Sequence, residues 1–225
     1  MPDGVFVIVP AYDERDAIGD VVRALRRLPV RVVVVDDGSN DGTDDAARAA
    51  GASVVRHPLN RGQGAAIQTG FDVCLAAAAE VLVTFDADGQ HSVDDIPRLV
   101  APIAEGRLDV VLGSRFLGTT EGITALRKTT LKMGVVFTRL FSGARLTDAH
   151  NGIRAFSAAA AGRIRLTQDR MAHASQIIDQ IVGAELRFEE VPVSVRYTDY
   201  SRAKGQRSRR AVRIAFDYLL GRFAK

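Results

Sequence analysis

Predominantly apolar runs at Val5 to Val9, Val30 to Val35, Val81 to Phe85 and Asp109 to Gly113 recur through the first half of the chain, with helix-patterned stretches between them. Such runs, rich in valine and lacking polar alternation, suit strands covered on both faces. Strands separated by helices pair in parallel through crossovers. The helical stretches are Asp16 to Leu28, Thr43 to Ala50, Gln63 to Ala79 and Asp94 to Glu105, the last interrupted by Pro97 and Pro102, and Ser53 to Arg56 adds a short strand. The expectation is therefore an α/β fold, a Rossmann-like and mostly parallel sheet with helices on both faces. Ligands in such folds gather beyond the carboxyl ends of strands, where every motif discussed below falls.

After Gly113 the pattern changes. Leu126 to Phe141 reads as a basic and apolar helix, Arg170 to Gly183 as another, and Arg187 to Tyr197 alternates as a strand. Near the end, Val212, Phe216, Leu219, Leu220 and Phe223 share one helical face, with Arg209, Arg213 and Lys225 elsewhere. The organisation expected is one unit: a domain over residues 1–205, with residues 206–225 as a basic amphipathic helix belonging to it. A chain of 225 residues with 47% hydrophobic content can bury a substantial core. Neither a signal peptide nor a membrane-length apolar stretch is legible, so the expected location is the cytosol. Cys74 is the lone cysteine, which excludes a disulfide within the chain and reads as a core thiol. The net charge of +3 is too small to imply nucleic-acid binding, but seven basic residues between Arg196 and Arg213 face one acid, Asp199, and mark the anion-facing part.

The run Asp86-Ala87-Asp88-Gly89-Gln90-His91 directly follows an apolar strand. Two carboxylates one residue apart on an extended backbone project the same way. Burying them together is costly unless a cation intervenes, and oxygen donors with Gln90 nearby suit Mg2+ or Mn2+, which would hold a diphosphate. Taken alone, so short a pattern reads sooner as an acidic surface turn, but here it does not stand alone. Val9-Pro10-Ala11-Tyr12-Asp13-Glu14 offers a proline and an aromatic to flank a base, and Val35-Asp36-Asp37-Gly38-Ser39-Asn40-Asp41-Gly42-Thr43 offers acids to accept hydrogen bonds from base or ribose. The second stretch reads as well as a turn and helix cap. Asn60-Arg61-Gly62-Gln63-Gly64 is either a structural loop opening a helix or a ligand contact.

In this order, these segments resemble glycosyltransferase family 2 and its GT-A fold. Gly113-Ser114-Arg115, Asp148-Ala149-His150-Asn151-Gly152-Ile153-Arg154-Ala155-Phe156, Glu190-Val191-Pro192-Val193 and Arg196 to Lys204 are similar to the polyprenyl-phosphate branch, the dolichyl-phosphate mannose or glucose synthases, and the resemblance runs over residues 5 to 205. It implies inverting, metal-dependent transfer of a sugar from a nucleotide diphosphate sugar to a polyprenyl phosphate of dolichyl or undecaprenyl type. It assigns Pro10, Ala11, Tyr12 and Glu14 to the nucleoside, joined by one or both of Asp36 and Asp37, with Gly64 and Ala87 also on the donor's side. Asp86, Asp88 and Gln90 would hold Mg2+ or Mn2+. Arg115, Arg127, Arg202 and Lys204 would neutralise the phosphates, and Asp148 would serve as base were the acceptor a hydroxyl. His91 matches the family's usual residue after Gln90 without being assigned to the metal, and His150 and His173 read as structural or surface residues.

Departures from the pattern matter too. Gln176 stands near where the related branch often carries an acid, and an amide cannot take a proton as a general base; Tyr200 to Gly205 is a variation on the family's phosphate-contact ending. The transmembrane helices of many relatives are absent. The expected placement is therefore peripheral, at the cytoplasmic membrane face, through the Leu126 to Phe141 or Arg209 to Lys225 helix or a partner membrane protein; packing on the domain or on a second copy is the alternative for these apolar faces. Two other readings compete: a family 2 transferase acting on a glycan or small-molecule hydroxyl, and a non-catalytic nucleotide or nucleic-acid binding module built on Arg196 to Arg213. Few aromatics interleave with those arginines, which argues against nucleic acid. No Gly-x-Gly-x-x-Gly follows the first strand, which argues against a dinucleotide oxidoreductase.

Overall fold

Strand β1 (Val5–Ala11) has every residue buried, as a strand covered on both faces requires. It runs near the middle of a seven-stranded sheet of order β3-β2-β1-β4-β7-β5-β8, whose other members are β2 (Arg31–Asp36), β3 (Ser53–Arg56), β4 (Val81–Thr84), β5 (Val110–Ser114), β7 (Arg154–Ser157) and β8 (Phe188–Pro192). A second, two-stranded sheet pairs β6 (Thr120–Glu121) with β9 (Val195–Arg196). The computed structural model describes residues 1–124, 128–133, 135, 144–167 and 173–197. The expected helix at Arg209 to Lys225, the unit at 206–225 and much of the Leu126 to Phe141 helix lie outside the described residues; 128–133 are helical.

Alternate side chains of the sheet feed two separate cores. Val5, Val7 and Val9 of β1 face α1 (Arg15–Leu25), α2 (Thr43–Ala49) and α4 (Ile96–Ala104), while Phe6 and Ile8 face α3 (Gln63–Ala76), α5 (Ala158–Arg163) and α6 (His173–Gly183). Helices thus cover both faces, as the valine-rich strands predict. In the second core Phe71 meets Phe156 edge to face at 5.2 Å. At Gly70, a Cβ would fall 2.3 Å from Ile8 Cγ2, so α3 sits on β1 at a distance only glycine permits. Cys74 is buried in this core, and burial pushes its thiol up to about 12, in keeping with an inert core residue.

Three elements differ from the sequence reading. The Asp94 to Glu105 stretch is a 3-10 turn (Val93–Asp95) followed by α4, whose Pro97 lies in the first turn, where a missing N–H costs no helical bond. Arg187 to Tyr197 is two strands rather than one: β8 ends at Pro192, and β9 joins the small sheet. Most consequential is β7. It is antiparallel to both its neighbours, β4 and β5, in a sheet that is otherwise parallel. Its reversed direction sets Arg154 opposite Thr84, which brings the loop 148–153 to the carboxyl end of β4.

Candidate active site

A cleft of about 410 Å³ opens at the carboxyl ends of β1 and β4, within the usual range for a small-molecule site. At one end it is lined by Pro10, Ala11, Tyr12, Glu14, Asp37 and Gly62, at its centre by Asp86, Ala87, Asp88 and Gln90, and beyond them by Arg115, His150 and Arg154. The first two motifs are stitched together by backbone-to-side-chain bonds, Asp13 N to Ser39 Oγ at 2.9 Å and Glu14 N to Thr43 Oγ1 at 2.8 Å. The Ser and Thr of the second motif thereby fix the loop that presents Tyr12, which is 45% exposed on the cleft wall. Gly38, at φ +78°, adopts a backbone that L side chains avoid, and a Cβ there would strike the Leu59 backbone at 2.6 Å.

The two acids of that motif have different surroundings. Asp37 lines the cleft, and its carboxylate accepts from Arg61 N (2.9 Å) and Gly62 N (2.6 Å) while meeting His57 Nδ1 at 2.7 Å. His57 Nε2 in turn reaches Thr69 Oγ1 at 2.9 Å. This buried relay went unread in the sequence because His57 belongs to no motif. Asp36 is fully buried and accepts from Ser39 N and Oγ, with Arg56 Nε at 3.3 Å. It does not line the cleft, so of the two acids it is Asp37 that faces it. Gly64 lies buried in the first turn of α3, and its neighbours Gly62 and Gln63 line the cleft.

At the centre, Asp86 meets His91 Nε2 at 3.0 Å and accepts from Gln63 Nε2 at 3.2 Å. Asp88 accepts from Gln90 N at 3.1 Å and from its side-chain amide. Burial pushes the Asp86 carboxyl up, but the His91 bond and the charges of His91, Arg154 and Arg115 outweigh it and hold it below the ordinary carboxylate value. Burial first, and then the charge of Asp86, push Asp88 up to about 6. A buried carboxylate that resists ionisation, with a second carboxylate beside it, is relieved by a cation, and the donors are all hard oxygens once the Gln90 amide oxygen turns in. Among the described residues no three His, Cys, Asp or Glu side chains gather as a metal site. The residues present therefore fit a divalent ion as a carboxylate pair completed by an amide and by ligand oxygens, the arrangement Mg2+ tolerates well.

Arg115 and Asp148 form a buried ion pair, Nε to Oδ2 at 2.6 Å. Arg115 also donates to Tyr197 Oη at 2.7 Å and to His150 O at 3.1 Å. Burial opposes its charge, yet the Asp148 carboxylate beside it keeps the guanidinium above its ordinary value. Asp148 is 3% exposed and does not line the cleft, and its loop is held by Glu190, which accepts from Thr147 N (2.7 Å) and Asp148 N (2.8 Å). Asp148 thus neutralises Arg115. His150 and His173, read from the sequence as structural or surface residues, both line the cleft, His173 buried and His150 half-buried. Burial, reinforced by the charge of Arg154, lowers His150 to about 4, so its imidazole is neutral at pH 7. Gln176 exchanges bonds with Thr167, N to Oε1 at 3.1 Å and Nε2 to Oγ1 at 2.8 Å, and ties a loop outside the cleft. Arg127, Arg202 and Lys204 lie outside the described residues.

The family model of Glycosyl transferase family 2 matches residues 6–165. An uncharacterized protein of Methanocaldococcus jannaschii is 37% identical over 223 residues, covering 97% of this chain and 92% of the relative. A UDP-N-acetylglucosamine--dolichyl-phosphate N-acetylglucosaminyltransferase of Methanococcus voltae is 30% identical over 243 residues, covering 98% and 97%. A polyprenol monophosphomannose synthase of Mycolicibacterium smegmatis is 36% identical over 160 residues, covering 67% and 60%. Among solved structures, glucosyl-3-phosphoglycerate synthase from Mycobacterium tuberculosis, in complex with Mn2+, UDP-glucose and phosphoglyceric acid, shares the fold with a TM-score of 0.71 at 21% identity, covering 95% of this chain and 79% of that one.

Proposed function

The chain belongs to glycosyl transferase family 2 and is a glycosyltransferase, and we propose that it transfers a sugar from a nucleotide diphosphate donor to a polyprenyl phosphate, with inversion at the anomeric carbon. The observation that carries this reading is the pair Asp86 and Asp88 at the centre of a cleft whose one end offers Tyr12, Glu14 and Asp37 and whose other end offers buried arginine. Similarity along nearly the whole length to a protein named for transfer to dolichyl phosphate supports the acceptor class.

Pro10, Ala11 and Tyr12 would flank the nucleoside, and Glu14 or Asp37 would accept hydrogen bonds from base or ribose. Asp86, Asp88 and Gln90 would hold Mg2+ or Mn2+, which when bound supplies Lewis-acid stabilisation of the departing diphosphate. Displacement at the anomeric carbon builds positive charge on the sugar and negative charge on the departing diphosphate, and the groups that hold the diphosphate favour that separation of charge. A phosphate acceptor is already ionised at neutral pH, so no base with an adjusted pKa is needed. The placement of Asp148 against Arg115, and of Gln176 against Thr167, accords with that: neither stands ready to take a proton from a hydroxyl.

No helix among the described residues is long and apolar enough to cross a membrane. The acceptor would then be met at the bilayer surface, where the positive charge of the stretch from Arg196 to Arg213 would favour anionic head groups. The test is to incubate the purified protein with Mn2+, a panel of radiolabelled UDP- and GDP-sugars, and polyprenyl phosphate in detergent, followed by organic extraction. Label entering the organic phase only when the lipid phosphate is present supports the reading. Transfer to a soluble hydroxyl acceptor, with none to lipid from any donor, overturns it.

A further inference from the structure

Two buried arginines line the far end of the cleft, and their charges are met differently. Arg115 is neutralised by Asp148. Arg154 is 4% exposed, and its side chain makes one hydrogen bond among the described residues, to Ala149 O at 3.1 Å, with no carboxylate at ion-pair distance. Burial pulls it down to about 10, against the more distant attraction of Asp86 and Asp148. A buried cation without an adjacent counter-charge is costly unless an anion completes it. The nearest negative charge is already committed, because Asp86 and Asp88 would be balanced by the divalent ion they hold. With that ion in place Arg154 is left unbalanced at the end of the cleft.

From this arrangement we infer that Arg154 is the cleft's principal oxyanion-binding residue within the described chain, taking a phosphate oxygen of the bound substrate, in the role the sequence reading gave to Arg115. The strand direction makes this placement: β7 runs antiparallel, so Arg154 opens it beside the carboxyl end of β4. An arginine has free donors after serving Ala149 O, and a planar guanidinium suits a phosphate with two parallel bonds. The inference rests on the reading of the cleft as a donor and acceptor site, but it is tested by binding alone, so failure of transfer and failure of this assignment remain distinguishable.

Phosphate oxygens come from the donor or from the acceptor, and two ligand pairs separate them. With Mn2+ held constant, calorimetry compares UDP with uridine and GDP with guanosine for the donor, and farnesyl phosphate with farnesol for the acceptor. In Arg154→Met, shown folded by circular dichroism, the advantage of the phosphorylated member of one pair should fall by about tenfold or more while its unphosphorylated partner binds as before. A fall in the nucleotide pair assigns Arg154 to the donor diphosphate; a fall in the prenyl pair assigns it to the acceptor. Should the methionine variant not fold, Arg154→Lys, which keeps the charge without the planar fork, should lose about threefold or more of the same advantage. An unchanged advantage in a folded variant, an equal loss for both members of a pair, or failure of both variants to fold even with nucleoside diphosphate present, overturns the assignment.

Discussion

Gly152 lies directly against the carboxylate of Asp86: a Cβ at position 152 would fall 2.1 Å from Asp86 Oδ2. Thr84 Oγ1 donates to Gly152 O at 2.7 Å, so the end of the strand that leads into Asp86 also fixes the glycine that makes room for it. Gly152→Ala should therefore displace the Asp86 side chain while leaving the two cores untouched. The expected outcome is at least a tenfold loss of Mn2+-dependent nucleotide binding, with a thermal midpoint within a few degrees of the parent. Unaltered nucleotide affinity in the variant would contradict this placement of Asp86.

The raised value of Asp88, about 6, makes a signed prediction for pH. A carboxyl whose folded pKa exceeds its unfolded one binds its proton more tightly in the native state. Its stabilising contribution to the metal-free protein is full below about 4 and is lost as pH rises through about 6. A divalent ion competes with that proton, so its affinity should strengthen as pH rises through the same window. Thermal melts at pH 5 and pH 7, with and without Mn2+, check this: the shift caused by Mn2+ should be large at pH 7 and small at pH 5. Equal shifts at the two pH values would count against the Asp88 assignment.

Gln176→Glu should not raise turnover, since an ionised phosphate has no proton to surrender and position 176 ties the Thr167 loop outside the cleft. A gain of about tenfold, equivalent to about 1.4 kcal/mol of barrier, would point to a hydroxyl acceptor and a missing base.

The basic stretch from Arg196 to Arg213 predicts salt-sensitive attachment to anionic bilayers. Cosedimentation with vesicles containing anionic lipid should be strong in dilute buffer and weak at high ionic strength. No cosedimentation in any condition, including with polyprenyl phosphate present, would argue for recruitment by a partner membrane protein or for a soluble acceptor.

Strands β1 to β5 were legible because each is a local event: valine-rich runs and the intervening helical periodicity are written in neighbouring residues. β7 was not, since Arg154 to Ser157 is short and its reversed direction is decided by pairing with Thr84 and Leu112, far away in the chain. The candidate site divides in the same way. Asp86, Asp88 and Gln90 announce themselves by spacing within one run. The Arg115 and Asp148 pair, 33 residues apart, and the His57 and Asp37 pair, 20 apart, are visible only after folding. That is why the sequence offered Arg115 and Asp148 as separate residues and not as an ion pair.

The central claim, that a carboxylate-held divalent ion serves sugar transfer to a lipid phosphate, is tested most directly by lipid labelling with Asp88→Ala beside the parent, each in chelator and in Mn2+. The parent should label polyprenyl phosphate in Mn2+ and not in chelator, while Asp88→Ala, folded by circular dichroism, should label it in neither. Undiminished labelling by the variant, or by the parent in chelator, would contradict the account.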